Sequence, residues 1–398
     1  MSYLRMRKKQ SGAVSLFIVI FTALLMTVVT VSFIQLMTKD QQQATTNDLS
    51  KSAYDSSQAG VEDAKRLLLL DQACRNNTAS ITTNCAAVAA ALTPAPGQAQ
   101  SSCDTLAKGG VVTQTNNETL LQQQAGDNAG KLDQAYTCVK IAVNTNDYLG
   151  ELQAYQSTVI PLRGAKPFTN IVLSWFSDKD ISSQTNDPTI GFPSSGSDVS
   201  LPRIGTKWQF NYPALMRTQL IQVGSTFKLS DFNDSAGGGK SNTNTLFLYP
   251  SATGATAKSF ALDARYSPLN APQSIQCRSN LGGGGYACTV ILQLPAPSDG
   301  NVAARTAFLH LSALYNQAHY KIQLEDSTGA VVQFANVQPE VDSTGRANDL
   351  FRRTVSRVEL SGDFSYPNAE IDITGNLCKN FSVTTRINDY KNTNTCTP

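Results

Sequence analysis

The chain has 398 residues, and its 32 Lys+Arg against 30 Asp+Glu leave a net charge of only +2. Such a balance is not that of a dedicated nucleic-acid binder, and with charged residues at 16% the polarity rests on Ser, Thr, Asn and Gln. The length leaves room for one large or two modest domains beyond an N-terminal segment.

Residues 1–12 form a short leader carrying Arg5, Arg7, Lys8 and Lys9. Residues 13–37 are uncharged and mostly apolar, with neither Pro nor Gly. At ~1.5 Å per residue this run reaches roughly 37 Å as a helix, enough to span a bilayer core with some tilt. Each Leu, Ile, Phe or Val favours insertion by about 0.3–0.6 kcal/mol, and no charge opposes them at about 2.5–3.5 kcal/mol apiece. The pattern predicts a transmembrane helix. A buried helix of a soluble core seldom stays apolar all round for so long, and a secretory signal has an apolar core of only ~7–15 residues. The basic flank places residues 1–12 in the cytoplasm and everything after residue 37 outside.

Residues 38–70 continue the helix as an amphipathic extension. Leu49, Ala53, Ser57, Val61, Ala64 and Leu68 recur at spacings of three or four, a narrow stripe of small and apolar side chains. Gly60 costs such a helix about 1 kcal/mol relative to Ala, so it implies a packing reason or a bend.

These residues carry a family resemblance. A basic leader, then Gly12-Ala13, then an apolar helix running on into an amphipathic one, resembles a type IV prepilin or pseudopilin. The stretch Ala53-Tyr-Asp-Ser-Ser-Gln-Ala-Gly60-Val-Glu-Asp-Ala64 is similar to the A-E-A-G-[LV]-E-x-A helix of minor pilins of the PilX and general-secretion K type, with Gln58 where Glu is frequent. The resemblance implies cleavage by a membrane peptidase after Gly12 and methylation of the new N-terminus, Ala13. Major pilins carry Glu as the fifth mature residue. This chain has Phe17 there, which fits the minor type.

All eight cysteines follow the apolar run: Cys74, Cys85, Cys103, Cys138, Cys277, Cys288, Cys378 and Cys396. An even number in an exported domain argues for disulfides, and no spacing matches a zinc site. Pairing between sequence neighbours is expected because turn material lies in each interval. Leu281-Gly-Gly-Gly-Gly285 between Cys277 and Cys288 reads as a hairpin tip, and Cys378 with Cys396 resembles the disulfide-bounded loop near the C-terminus of many pilins. Each such loop would stabilise by about 3 kcal/mol.

Residues 71–134 are Ala-, Gln-, Thr- and Asn-rich and read as a disulfide-tethered connecting region with a short helix around 85–92. Residues 135–398 read as a β-rich domain. Strands are expected at 136–143, 154–162, 170–176, 215–223, 245–249, 287–294, 308–314, 320–325, 330–334, 354–360 and 370–374. Asp326-Ser-Thr-Gly329 reads as a hairpin turn, and Asp342-Ser-Thr-Gly345 has the same turn chemistry. Polar loops at 177–200 and 231–244 are the segments expected to face partners.

Catalytic motifs are thin. His310 sits among apolar neighbours and reads as a core or edge residue, His319 lies in the same stretch, and Trp175, Phe176 and Trp208 read as core aromatics. Gly237-Gly-Gly-Lys240-Ser241 lacks the first Gly of a phosphate loop, since Asp234 stands there. The expectation is therefore an α+β architecture: a long N-terminal transmembrane and amphipathic helix followed by a large disulfide-bonded extracytoplasmic β domain. Its role would be a non-enzymatic, cofactor-free minor pilin or pseudopilin of a pilus or secretion filament, active in assembly initiation, adhesion or DNA uptake. The implied partners are other pilin subunits, the prepilin peptidase and membrane lipid, with a surface ligand or DNA for the outer domain. A single-pass adhesin that keeps its leader is the alternative. An anchored hydrolase lacks a residue set to carry it.

Overall fold

The computed structural model describes residues 12–80, 83–121, 133–181, 189–192, 201, 207–209, 211–223, 243–259, 272–281, 284–298 and 306–360. Cys378, Cys396, the expected strand 370–374 and the glycine-rich stretch 237–241 lie outside them. Three helices come first: α1 (Gly12–Arg75), α2 (Cys85–Leu92) and α3 (Thr105–Lys108). The strands are β1 (Thr119–Leu120), β2 (Gln134–Thr145), β3 (Tyr148–Leu152), β4 (Ser157–Leu162), β5 (Phe168–Trp175), β6 (Leu215–Val223), β7 (Thr243–Ser251), β8 (Ala257–Ser259), β9 (Gln273–Gln276), β10 (Cys288–Ser298), β11 (Thr306–Leu314), β12 (Ala318–Glu325), β13 (Val331–Val332), β14 (Phe334–Ala347) and β15 (Leu350–Arg357). The class is α+β, with three disulfides among the described residues.

α1 runs unbroken for 64 residues, about 96 Å at ~1.5 Å per residue. It is described from Gly12 onward and ends five residues beyond the expected boundary at 70, where Asn77 turns into the left-handed region at φ 56°. The antiparallel sheet β1-β2-β14-β15 packs against its second half.

Two further sheets stack face to face. One has the order β13-β12-β5-β10-β8, with β3 also paired to β12, and the other β4-β11-β6-β7-β9. Ile171, Leu173, Trp175, Val290 and Leu292 of the first meet Leu220, Leu248, Leu309 and Leu311 of the second in one core. β12 alternates strictly between buried and half-buried residues, as expected for a strand with one face on a core.

The sandwich is an insertion in the helix-packed sheet. Thr145, the last residue of β2, is the ladder partner of Phe334, the first of β14, and the chain between them builds both stacked sheets. The boundary drawn at 135 therefore does not separate two bodies. β2, β14 and β15 belong with the helix, and residues 71–121 supply α2, α3 and edge strand β1 to the same unit. The turn reading of Asp342-Ser-Thr-Gly345 is also corrected, because all four residues lie inside β14. The matching reading at Asp326 holds: its carboxylate accepts from the N–H groups of Thr328 and Ala330, and Gly329 sits at φ +82°. Strands β1, β3, β8 and β9 were not anticipated, and neither was β14, which touches the expected strand 330–334 only at Phe334.

Candidate functional site

The first half of α1 is bare. From Leu16 to Met37 its large apolar side chains are all exposed, from 43% for Val29 to 76% for Phe17. The hydroxyls of Thr22, Thr27, Thr30 and Ser32 donate to carbonyls three or four residues back in the same helix. Satisfied internally, these four hydroxyls can enter an apolar medium without becoming orphan donors. By length and composition the helix can cross a membrane. Gly12 and Ala13 are helical within it.

The second half is clamped. Ala53, Ser57, Val61, Ala64 and Leu68, five of the six stripe residues, are buried, and Leu49 is partly so. Two glycines set the approach to the sheet. A Cβ on Gly345 of β14 would overlap the carbonyl oxygen of Ala53 and the amide nitrogen of Ser57, both backbone atoms of α1. A Cβ on Gly60 of α1 would press on Ser343 Oγ and stand 3.0 Å from Val139 and 3.2 Å from Tyr136. Helix and strand therefore meet nearly backbone to backbone, which accounts for Gly60 in a helix that is otherwise free of helix breakers.

Polar bonds fix the register. Tyr136 of β2 donates to Asp63 of α1 at 2.7 Å. Burial first, and the Asp63 carboxylate second, hold the phenol above its usual range. Ser57 and Thr354 hydroxyls lie 2.5 Å apart, and Arg352 donates to Ser50 at 2.8 Å. At the far end, Leu67 and Leu68 pack with Val88, Leu92 and Leu106 from α2 and α3. Cys74–Cys85 ties the last turn of α1 to α2, and Cys103–Cys138 ties the segment before α3 to β2. Cys277–Cys288 closes the glycine-bearing turn of the sandwich, so all three bonds join sequence neighbours.

Elsewhere the polar groups neutralise one another. His319 Nδ1 is 2.7 Å from Asp180 and Nε2 is 3.3 Å from Glu151. His310 is 6% exposed in β11, and burial first, then nearby Arg217, push its pKa down. Trp175, Phe176 and Trp208 are buried. A cleft of about 670 Å³ lies among α2, residues 93–102, β2 and the end of β15. Within its lining Arg357 meets Asp147 at 2.9 Å and Glu340 at 3.1 Å. Among the described residues no group of three His, Cys, Asp or Glu side chains is placed to hold a metal ion.

Sequence reasoning found the stripe and Gly60 but missed Gly345, Tyr136 and Asp63. An available signal was the small, alternating pair Ser343 and Gly345, which places two minimal side chains on one face of a strand. No protein-family model matches the chain, no curated protein matches it in sequence, and no solved structure matches it in fold.

Proposed function

We propose that this chain is a non-enzymatic, low-copy subunit of a type IV pilus or type II secretion-like filament, a minor pilin or pseudopilin. One observation carries the reading: a single helix whose second half is locked to an antiparallel sheet while its first half offers a continuous bare apolar cylinder. In this reading the first half rests in the cytoplasmic membrane, leader inside and disulfide-bonded domain outside, and later packs against the helices of other subunits. Van der Waals contact between helices would drive that step, since the Thr hydroxyls are already spent inside α1. Phe17 supports low copy number. A neighbouring subunit's buried N-terminal amine would find no carboxylate there, at a cost of several kcal/mol, so the chain would not stack repeatedly on itself.

The test is the mass of the mature N-terminus. Cleavage after Gly12 with methylated Ala13, abolished in Gly12→Val, is the expected result, together with an amount in sheared filaments far below that of a Glu-bearing major subunit. An intact Met1 terminus on protein in filaments would defeat the reading. An intact leader on protein found only in the membrane would identify a single-pass surface adhesin instead.

A further inference from the structure

The insertion at Thr145 and Phe334 divides the chain more deeply than a count of sheets suggests. Its two ends are neighbours in one ladder, so β2 and β14 could be joined by a turn at that point without altering their register. The apolar core of the helix–sheet unit is separate from that of the sandwich. The first joins α1, α2, α3, β2, Val341 of β14 and Val358, and the second takes only residues from Tyr148 to Val337, with a smaller cluster around Trp208 and Tyr249 beside it.

Beyond Phe334 and Val337, which sit in the sandwich core at the start of β14, the joint between them is polar. β14 slips register between Ala335 and Glu340, and this bulge turns the strand from one sheet toward the other. In it, buried Gln338 acts as a spare peptide group: its Nε2 donates to Leu149 O at 2.7 Å and its Oε1 accepts from Leu149 N at 2.9 Å. Tyr148 donates to Glu359 at 2.6 Å, and Arg357 pairs with Asp147. Hydrogen bonds of this kind set an orientation, but they do not merge two cores into one cooperative unit.

We propose that residues 146–337, whose core takes Phe334 and Val337 from the start of β14, are an inserted module that unfolds independently of the helix–sheet unit, which by itself seats α1. Partner contact can then be carried by the module and exchanged without touching the helix. The proposal stands whether or not the filament reading holds.

Hydrogen exchange on the full-length protein in detergent tests it with one lesion in each core. Leu309→Asp places a charge at a fully buried sandwich position. Peptides covering 168–175 and 306–325 should lose protection while those covering 61–71, 134–142 and 340–347 keep it. Gly345→Val should do the reverse. If Leu309→Asp prevents recovery of the protein, Leu309→Ala with the same readout takes its place. Gln338→Ala should leave both protection patterns intact and free only the backbone amide of Leu149. Loss of protection in both regions from either core lesion would show a single cooperative unit and overturn the proposal.

Discussion

The two halves of α1 belong to one continuous helix and are built on opposite rules. The bare half is lined with Leu, Ile, Val and Phe, none of its large apolar side chains less than 43% exposed, whereas the clamped half buries Ala53, Ala64, Ser56 and Ser57 completely. Hydrophobicity alone does not decide which half the domain covers. Close approach to a sheet selects small side chains and glycine, because each Cβ removed brings the backbones nearer and adds dispersion contacts. Bulk returns at Leu67 and Leu68, which face α2 and α3, and along the half that has no partner among the described residues, where about 25 cal/mol per Å² of apolar surface awaits another apolar medium.

The largest expected effect breaks the clamped half alone. Gly345→Val drives a side chain into the backbone of α1, which cannot move aside without leaving the sheet. Destabilisation by about 3 kcal/mol or more is expected, from the upper range of overpacking costs. Denaturant unfolding in detergent measures it, and membrane fractionation should be unchanged. A comparable insult to the bare half should do the opposite. Val28→Arg adds about 3 kcal/mol to the cost of membrane insertion. It should shift the protein toward the soluble fraction and leave the unfolding midpoint of the clamped unit where it was. If Val28→Arg also lowers that midpoint, the halves are not independent.

Tyr136→Phe sharpens the comparison from the sheet side. It deletes the bond to Asp63 and should cost roughly 1.5–3 kcal/mol, the range for a hydrogen bond to a charged partner. A pH signature accompanies the loss. Because the folded state raises the phenol's pKa, its contribution is whole below the unfolded value of about 10 and fades as pH climbs from there toward the folded value. Wild-type stability should fall over that alkaline interval more steeply than that of Tyr136→Phe. Equal slopes would mean that Tyr136 titrates alike in both states.

Much of this was legible in the chain. The uncharged run announced α1, the stripe announced its buried face, and strand patterns announced most of the strands of the sandwich, but not β14. Asp-Ser-Thr-Gly shows where legibility ended. At 326–329 the Asp carboxylate closes on the following amides and Gly329 takes a positive φ at an exposed hairpin. At 342–345 the same four residues are extended. Arg353 takes the Asp342 carboxylate with two hydrogen bonds at 2.6 Å, and Gly345 serves as a hole for the helix. Local chemistry is identical in the two places, and contacts with residues far away in sequence choose between turn and strand. The insertion was illegible for the same reason, since nothing near Thr145 announces a partner at Phe334. Strand β3 escaped because it is short and carries Gly150, whose missing Cβ makes room for the Tyr320 ring.

The smallest effect tests whether Gly60 is there for space or for freedom. Gly60→Ala gains about 1 kcal/mol of helix propensity. Against that, the new methyl group meets Ser343 Oγ and presses on Val139 and Tyr136. Ser343 Oγ has no hydrogen-bond partner among the described residues, so its rotation forfeits none there. The two ring and methyl neighbours must still yield by a few tenths of an ångström in a buried layer. Taking overpacking at about 2 kcal/mol, the middle of its usual range, the net cost is about 1 kcal/mol. The sign should depend on Ser343. In a Ser343→Gly background the closest obstacle is gone, and Gly60→Ala should become neutral or stabilising by up to about 1 kcal/mol, a coupling that a double-mutant cycle reads directly. If Gly60→Ala destabilises equally in both backgrounds, the spacing of helix and sheet is not set at this contact, and Val139 and Tyr136 hold α1 off by themselves.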